Sequence, residues 1–301
     1  MKKTIILLFF LIFLISCEKE DSTNNNIIES EWTTKQFTYE HDGLIRTYIL
    51  HKPLNFVENS PLVFVLHGFG SSAMTIMTYS QMNTIADQNG FLVCYPQGSI
   101  LETGQSHWNA NLEMSSINDI DFLSQLAKSL QFNYKTNPKN NFTSGMSNGG
   151  FMSYTLGCEK SDIFKGVASV TGTMSGKDWK NCDPVNKIPA FQISGTNDTT
   201  VPWDGTMSTA YGWGGAPHIL DVMDFWADLN STSQTEKIDF PDIDSSDKST
   251  VSLTKRKAGI NNNEVWLYTV SGGGHDWPGS WGNKDIIASN EIWKFFKHHL
   301  K

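Results

Sequence analysis

Three side chains of this 301-residue chain could together activate a hydroxyl group for attack on a carbonyl carbon. The first is Ser147, in the G-x-S-x-G pattern Gly145-Met146-Ser147-Asn148-Gly149, between a β-rich run and a helical one. A serine on such a tight strand-to-helix turn has a strained backbone, and glycines avoid the collisions that larger side chains would cause. The helix that follows directs its N-terminal amides at developing negative charge. The pattern predicts that Ser147 is a catalytic nucleophile.

A serine nucleophile needs a base to take its proton and a carboxylate to orient that base. In parallel sheets such groups gather just beyond the carboxyl ends of strands, in the chain order serine, acid, histidine. Asp198 follows the apolar run 190–195, although a turn aspartate that binds its own backbone is the alternative, and Asp204 lies further away. His275 follows the run 265–270 in a glycine-rich loop, with a surface histidine as the alternative. Order and location together predict Asp198 as the acid and His275 as the base.

The negative charge of a tetrahedral intermediate needs two backbone N–H donors. We expect one from Asn148, the residue after the serine. The other should come from Phe69, in the turn His67-Gly68-Phe69-Gly70 after the apolar run 61–66. We interpret His67 as a strand-end residue whose ring packs against or hydrogen-bonds this loop, and not as the base.

The elements that must position these groups follow from hydrophobic periodicity. An Asp42-Gly43 turn predicts an antiparallel hairpin of residues 36–39 and 44–50. Strand, helix and strand at 61–66, 73–89 and 91–95 indicate a βαβ unit and hence a parallel sheet. Residues 97–115 form a long loop, and 241–248 a polar excursion. Further helices are expected at 117–130, 148–158, 219–229 and 288–300, and further strands at 141–146, 166–170, 190–195, 251–254 and 265–270. We therefore predict a doubly wound α/β fold with a mostly parallel sheet, in one domain of residues 32–301.

The N-terminal segment has the composition of an export signal. Lys2-Lys3 precede an apolar run, 5–15, that is shorter than the roughly 20 residues a spanning helix needs. The run ends in Leu14-Ile15-Ser16-Cys17, which resembles a bacterial lipobox, although a secretory signal with a chance cysteine is the alternative. We expect residues 1–17 to be a lipoprotein signal peptide with lipid on Cys17, and residues 18–31 to be a polar tether. This predicts an exported protein anchored to the cell envelope, periplasmic or on the outer surface.

Composition limits the partners. A net charge of −8, a pI near 5.4 and the absence of a basic stripe exclude nucleic acid. Cys94 lies in an apolar run and is expected to be a buried strand residue. Cys158 and Cys182 remain as a candidate disulfide pair in an oxidising compartment. Neither has a second cysteine or histidine at ligand spacing, so we predict no metal and no cofactor, and we expect a monomer.

Five motifs in this order resemble those of the esterase/polyhydroxybutyrate depolymerase family, which includes secreted feruloyl and acetylxylan esterases. They are Leu66-His67-Gly68, Tyr95-Pro96-Gln97-Gly98, Gly145-Met146-Ser147-Asn148-Gly149-Gly150, Gly195-Thr196-Asn197-Asp198 and Gly273-Gly274-His275-Asp276-Trp277-Pro278-Gly279. The resemblance runs from Phe37 to Leu300. It implies an α/β-hydrolase fold, the roles given above to Ser147, Asp198 and His275, and a Cys158–Cys182 disulfide. Phe69 departs from the small residue or cysteine that relatives often have there.

Tryptophans are frequent in the loops around the predicted site. Aromatic side chains stack on sugar or feruloyl rings and line polyester clefts, although each one alone is more simply explained by loop packing. We expect substrate contacts from Trp108, Trp203 and Trp277, the last because it adjoins His275. The tryptophans in these loops are Trp108, Trp203, Trp213, Trp277 and Trp281. The segment 203–217 is expected to cover the site as a partial lid.

Three functions fit this sequence. The first is a serine esterase that removes feruloyl or acetyl groups from plant-type polysaccharide. The second is a polyhydroxyalkanoate depolymerase that uses the same acyl-enzyme chemistry. The third is a catalytically inactive, glycan-binding surface lipoprotein, which the complete set of Ser147, Asp198 and His275 disfavours.

Overall fold

A ten-stranded sheet organises the part of the chain that the computed structural model describes, residues 33–301. In chain order the strands are β1 (Thr34–His41), β2 (Leu44–His51), β3 (Leu62–Leu66), β4 (Leu92–Pro96), β5 (Ser99–Ile100), β6 (Ser106–His107), β7 (Asn141–Met146), β8 (Val167–Val170), β9 (Ala190–Gly195), β10 (Gln234–Asp239), β11 (Thr250–Lys257) and β12 (Val265–Ser271). The order across the sheet is β1-β2-β4-β3-β7-β8-β9-β12-β11-β10, and β5 and β6 form a separate small hairpin.

The six central strands, from β4 to β12 across the sheet, are parallel, and the two strands at each edge are antiparallel. Strands β3, β7 and β9 are buried along their whole length, because helices cover both faces. The helices are α1 (Ala73–Ser80), α2 (Met82–Asn89), α3 (Asp119–Tyr134), α4 (Asn148–Glu159), α5 (Gly176–Asn181), α6 (Ile219–Leu229) and α7 (Ala288–His298). Helices α1, α2 and α7 pack on one face, and α3, α4 and α6 pack on the other. The predicted doubly wound α/β fold is confirmed.

The N-terminal hairpin forms as its turn residues predict. Asp42 and Gly43 both have positive φ, 50° and 71°, which matches the twist that a two-residue hairpin turn requires. Strand β1 pairs with β2 along eight residues, and β2 then joins the sheet antiparallel to β4. The hairpin therefore extends the parallel sheet at one edge.

One expectation about the elements is wrong, and one strand was not predicted. The predicted helix 73–89 is two helices, because Gln81 has a left-handed backbone with φ 49° and its N–H caps α1 by binding the Met77 carbonyl. Strand β10 was not predicted, because Ile238 is the single apolar residue of its sequence QTEKID and the strand has no polar–apolar alternation. It forms only by pairing with β11, which makes a second antiparallel edge.

Cys158 and Cys182 form a disulfide that joins the ends of α4 and α5, and Cys94 is buried on β4. The predicted signal peptide, the lipidation site Cys17 and the tether 18–31 lie outside the described residues. No helix within 33–301 is both long and apolar enough to cross a bilayer.

Candidate active site

Ser147 lies on the turn between the central strand β7 and helix α4. Its backbone is strained, with φ 53° and ψ −121°. A Cβ at Gly145 would lie 2.4 Å from the Gly149 carbonyl carbon, and one at Gly149 would lie 2.3 Å from the Leu66 oxygen. Both glycines are therefore required by sterics, as the sequence indicated. The Ser147 N–H donates to the Val170 carbonyl at 2.8 Å, which ties the turn to β8.

Asp198 and His275 form a hydrogen-bonded pair beyond the ends of β9 and β12. The Asp198 Oδ2 to His275 Nδ1 distance is 2.7 Å, and the Asp198 side chain is only 1% exposed. Asp198 Oδ1 accepts the N–H groups of Thr200 and Val201, both at 2.8 Å. Asp198 therefore both binds the backbone of its own turn and pairs with His275. Because the carboxylate accepts from Nδ1, that nitrogen carries the proton and Nε2 is left with its lone pair free to act as a base.

Asp204, the competing acid, is an exposed turn residue. Its carboxylate accepts the hydroxyl of Thr206 at 2.7 Å and the backbone N–H of Thr206 at 3.1 Å. These hydrogen bonds lower the pKa of the Asp204 carboxyl. Since the histidine partner is Asp198, Asp204 has no place in the pair.

The loops that carry Asp198 and His275 are hydrogen-bonded to each other. Asn197 N–H donates to the Gly273 carbonyl at 2.9 Å, and Gly272 N–H donates to Thr196 Oγ1 at 2.9 Å. A Cβ at Gly195 would lie 2.3 Å from the Gly273 oxygen, so the two backbones touch. This close approach requires a glycine at position 195, and the contacts between the two loops hold Asp198 and His275 as one preformed pair.

Ser147 Oγ makes no hydrogen bond to His275 or to any other residue within 33–301. The hydrogen bond that the sequence predicts between Ser147 and His275 is therefore absent from the described residues, and the catalytic role of Ser147 stays a prediction.

The candidate oxyanion donors lie on either side of Ser147. The Gly68–Ser71 turn closes with a 3.2 Å hydrogen bond and places Gly68 so that an added Cβ would lie 3.5 Å from Ser147 Cβ. Phe69 in this turn and Asn148 at the start of α4 have backbone N–H groups without an acceptor among the described residues. Two free amides beside a serine are what an oxyanion site requires.

His67 is a structural residue of this turn. It is fully buried, and burial lowers its pKa to about 4, so the ring is neutral at neutral pH. Its Nε2 accepts the Gly98 N–H at 2.9 Å, which leaves the proton on Nδ1 for donation to the Gly68 carbonyl at 2.8 Å. The ring therefore fixes the turn that carries Phe69.

Trp108 is not a substrate platform, because its side chain is fully buried. Its indole N–H donates to the His67 carbonyl at 3.0 Å. Its backbone N–H donates to Asn148 Oδ1 at 2.7 Å, and Asn148 Nδ2 donates back to the Trp108 carbonyl at 3.0 Å. Trp108 thus connects the Phe69 turn to the residue after Ser147. The sequence places Trp108 in a loop and gives no sign of this burial.

Of the other two expected platforms, Trp277 differs from the prediction. Trp277 is 1% exposed and packs in the core, with its indole N–H 3.3 Å from Ser289 Oγ. Trp203 is half-buried, and its ring lies 6.1 Å from that of His218. Trp277 therefore has no surface to offer a substrate, whereas Trp203 packs against the core cluster that contains Trp226 and stays partly exposed, so its contact with substrate remains a prediction.

Trp213, which was not singled out, contacts the oxyanion turn instead. Its ring centroid lies 5.5 Å from that of Phe69 and 5.9 Å from that of Phe151. The preceding Gly212 carbonyl accepts the Glu113 N–H at 3.0 Å. Trp213 and Gly212 of the segment 203–217 therefore lie near the Phe69 turn that adjoins Ser147.

Metal-binding side chains are not clustered in the described part of the chain. Within 33–301, no group of three or more histidine, cysteine, aspartate or glutamate side chains is placed to hold a metal ion.

Comparison with known proteins finds esterases. Residues 46–188 match the family model described as esterase PHB depolymerase. The chain is 30% identical over 156 residues to the bifunctional acetylxylan esterase/xylanase XynS20E of Neocallimastix patriciarum, covering 52% of this chain and 22% of that protein. It is 25% identical over 236 residues to feruloyl esterase B of Piromyces equi, covering 76% of this chain and 42% of that protein. The chain spans 22% to 59% of the length of the first curated relatives it matches.

Among solved structures, the chain resembles the acetyl xylan esterase from Aspergillus awamori. The TM-score is 0.60 at 14% sequence identity, and the match covers 89% of this chain and all of that one. An S-formylglutathione hydrolase from Agrobacterium tumefaciens matches with a TM-score of 0.56 at 11% identity, over 89% of this chain and 95% of that one. With its strand order and its serine turn, residues 33–301 have the α/β-hydrolase fold.

Proposed function

We propose that this protein is a carboxylic ester hydrolase in which Ser147 is the nucleophile. The observation that carries the proposal is the preformed Asp198–His275 pair, with 2.7 Å between Oδ2 and Nδ1. The pair lies beyond the carboxyl ends of the parallel strands, as the strained Ser147 turn does. The match of residues 46–188 to an esterase family model and the esterase names of the relatives support the same chemistry.

The proposed reaction is acyl transfer through a covalent intermediate. His275 Nε2 takes the proton of Ser147 Oγ as the oxygen attacks the ester carbonyl, and Asp198 stabilises the imidazolium that forms. The oxyanion binds the N–H groups of Phe69 and Asn148. Collapse expels the alcohol, which takes the proton from His275. Water then attacks the acyl-serine, with His275 again as the base, and releases the acid.

We propose feruloyl or acetyl esters of plant-type polysaccharide as the substrates. Two relatives carry the names acetylxylan esterase/xylanase and feruloyl esterase B, which supports this class. A polyhydroxyalkanoate depolymerase is the second candidate, since the matching family model is described as esterase PHB depolymerase. A glycan-binding protein without catalysis would have no use for the strained Ser147 backbone.

Hydrolysis of p-nitrophenyl acetate by wild type, Ser147→Ala, Asp198→Asn and Asp204→Asn tests the reaction. We expect loss of activity in the first two variants and wild-type activity in Asp204→Asn, the matched control on an exposed turn. Equal background rates in wild type and Ser147→Ala would contradict the esterase proposal. Product analysis on methyl ferulate, acetylated xylan and polyhydroxybutyrate then separates the two substrate classes.

We further propose export of a monomer that is anchored through a lipid on Cys17. The Cys158–Cys182 disulfide supports an oxidising compartment, because such bonds are rare in reducing ones. Mass spectrometry of the N-terminal peptide should find a diacylglyceryl group on Cys17, and Cys17→Ala should move the protein from the membrane to the soluble fraction. A membrane-bound Cys17→Ala protein would contradict the anchor.

A further inference from the structure

A cleft of about 800 Å³ begins at the candidate oxyanion turn. One wall is the β5–β6 hairpin with the exposed side chains of Ile100 and Glu102, and the other wall is the loop 113–117. Phe69 and Trp213, whose rings lie 5.5 Å apart, also line the cleft, and Phe69 is 38% exposed. A molecule in this cleft would therefore lie against the residue that we propose to donate a hydrogen bond to the reacting carbonyl.

The two walls are held together by buried polar contacts. His107, which is fully buried, bonds through its ring nitrogens to the Ser99 carbonyl at 3.0 Å and to Ser115 Oγ at 2.6 Å. Asn109 Nδ2 donates to the carbonyls of Ser115 and Ile117 at 3.0 and 2.8 Å. The cleft is thus preformed, which lowers the entropic cost of binding a ligand there.

The walls of the cleft carry both apolar and polar side chains, and the charged side chains among them are negative. Aromatic and aliphatic surface comes from Phe69, Trp213 and Ile100, and hydroxyl and amide groups come from Thr103, Gln105 and Ser116. Two exposed carboxylates, Glu102 and Glu113, also line the cleft. Within residues 33–301 neither has an ion-pair partner, and the lining contains no lysine or arginine.

We propose that this cleft binds the glycan part of the substrate and selects neutral sugars over sugars that carry a carboxylate. Apolar rings stack on the less polar faces of sugar rings, and carboxylates accept hydrogen bonds from vicinal hydroxyl groups. A uronic acid in the same position would place a third negative charge beside Glu102 and Glu113 without a compensating cation. The inference rests on the proposed esterase function for its substrate and names the sugar class that the same site accepts.

Isothermal titration calorimetry on the full chain with Ser147→Ala tests the cleft without turnover. The probes are a neutral xylo-oligosaccharide and the same oligosaccharide with one glucuronic acid branch. Two carboxylates about 7 Å from the added charge predict roughly five- to tenfold weaker binding of the acidic probe at low salt. At about 1 M NaCl the preference should nearly vanish, because the Debye length is then about 3 Å. Equal affinities at low salt, or no binding of either probe, would overturn the proposal.

Reversing the charge of the two glutamates gives a second test of the cleft. Glu102→Lys/Glu113→Lys in the Ser147→Ala background should invert the preference in favour of the acidic probe. The control Asp228→Lys/Asp239→Lys changes the net charge equally, at exposed positions on α6 and on the edge strand β10. It should keep the preference for the neutral probe, and inversion in the control as well would overturn the assignment to the cleft. If the reversed variant does not fold, the salt series on the parent decides.

p-Nitrophenyl acetate, which has no sugar, separates this proposal from the function it rests on. Turnover by wild type without binding of the neutral probe would overturn the cleft and leave the esterase. Binding without any Ser147-dependent turnover would overturn the esterase and leave the cleft as a sugar site.

Discussion

Replacing Trp108 with phenylalanine tests whether this residue positions the oxyanion turn or contacts substrate. The substitution removes the indole N–H that donates to the His67 carbonyl at 3.0 Å, and it leaves the two Trp108–Asn148 backbone hydrogen bonds in place. It therefore isolates one contact behind the Phe69 turn.

The magnitude follows from burial. The His67 carbonyl would lose its donor in a fully buried site, which costs about 1–3 kcal/mol of unfolding free energy, and the smaller ring adds a cavity cost of about 1–2 kcal/mol. Removal of a whole oxyanion donor lowers kcat about 10²- to 10³-fold. Displacement of the Phe69 N–H, without its removal, should lower kcat about tenfold. KM should stay within about twofold, because the donor acts mainly on the transition state.

The matched control is Trp226→Phe. Trp226 is also fully buried, but its indole N–H has no partner among the described residues, so only the cavity cost applies. We expect a smaller loss of stability than in Trp108→Phe and wild-type kcat. Steady-state kinetics on p-nitrophenyl acetate with urea unfolding measures both. A raised KM with unchanged kcat in Trp108→Phe would refute positioning and restore the substrate contact that the sequence suggested.

Three further predictions follow from the described contacts. Gly149→Ala should destabilise the fold by about 3 kcal/mol in urea unfolding, because its Cβ would lie 2.3 Å from the Leu66 oxygen, whereas Gly274→Ala, with its nearest atom at 3.7 Å, should fold normally. Cys158→Ser/Cys182→Ser should lower the free energy of unfolding by about 3 kcal/mol, given a sequence separation of 24 residues, and an unchanged midpoint would contradict a closed disulfide. Burial lowers the pKa of His67 to about 4 and the pKa of His299 to about 3, both from 6.5. Between about pH 6.5 and 4 the unfolded chain therefore binds more protons than the folded chain. The free energy of unfolding should fall by several kcal/mol as the pH drops from about 6.5 to 4. His299→Leu should flatten that dependence in urea titrations, and an unchanged slope would show that His299 is not responsible.

The parts of the site that sequence predicts are those set by local sterics and by chain order. Ser147 needs small neighbours within two residues, so the pattern alone locates the turn. Asp198 and His275 follow strands β9 and β12, whose largely apolar sequences mark them as buried, and the carboxyl ends of parallel strands lie on the same side of the sheet. Correct placement of both residues was therefore enough to predict the hydrogen bond between Asp198 and His275.

The parts that sequence could not predict depend on contacts between distant segments. Trp108 and Trp277 lie in loops, where exposure is the usual expectation, yet the elements packed around them bury both. Gln81 adopts a left-handed backbone and ends α1, although glutamine favours helices. Strand β10 has no apolar alternation and exists through its pairing with β11. For the two tryptophans and for β10 the deciding partner lies in another element of the fold, whereas the break at Gln81 is local.

The site consists of two preassembled units whose separation is set by strand β8. One unit is Ser147 with its oxyanion turn, and the other is the Asp198–His275 pair, and no hydrogen bond joins Ser147 to that pair within 33–301. The end of β8 lies between them, because the Val170 carbonyl accepts the Ser147 N–H at 2.8 Å and the Thr171 N–H donates to Ile193 of β9 at 2.8 Å. Gly172 continues this spacer, since a Cβ there would lie 2.6 Å from the Ser147 carbonyl oxygen. A larger residue at 172 would therefore displace Ser147 relative to the Asp198–His275 pair while leaving the 2.7 Å hydrogen bond inside that pair intact.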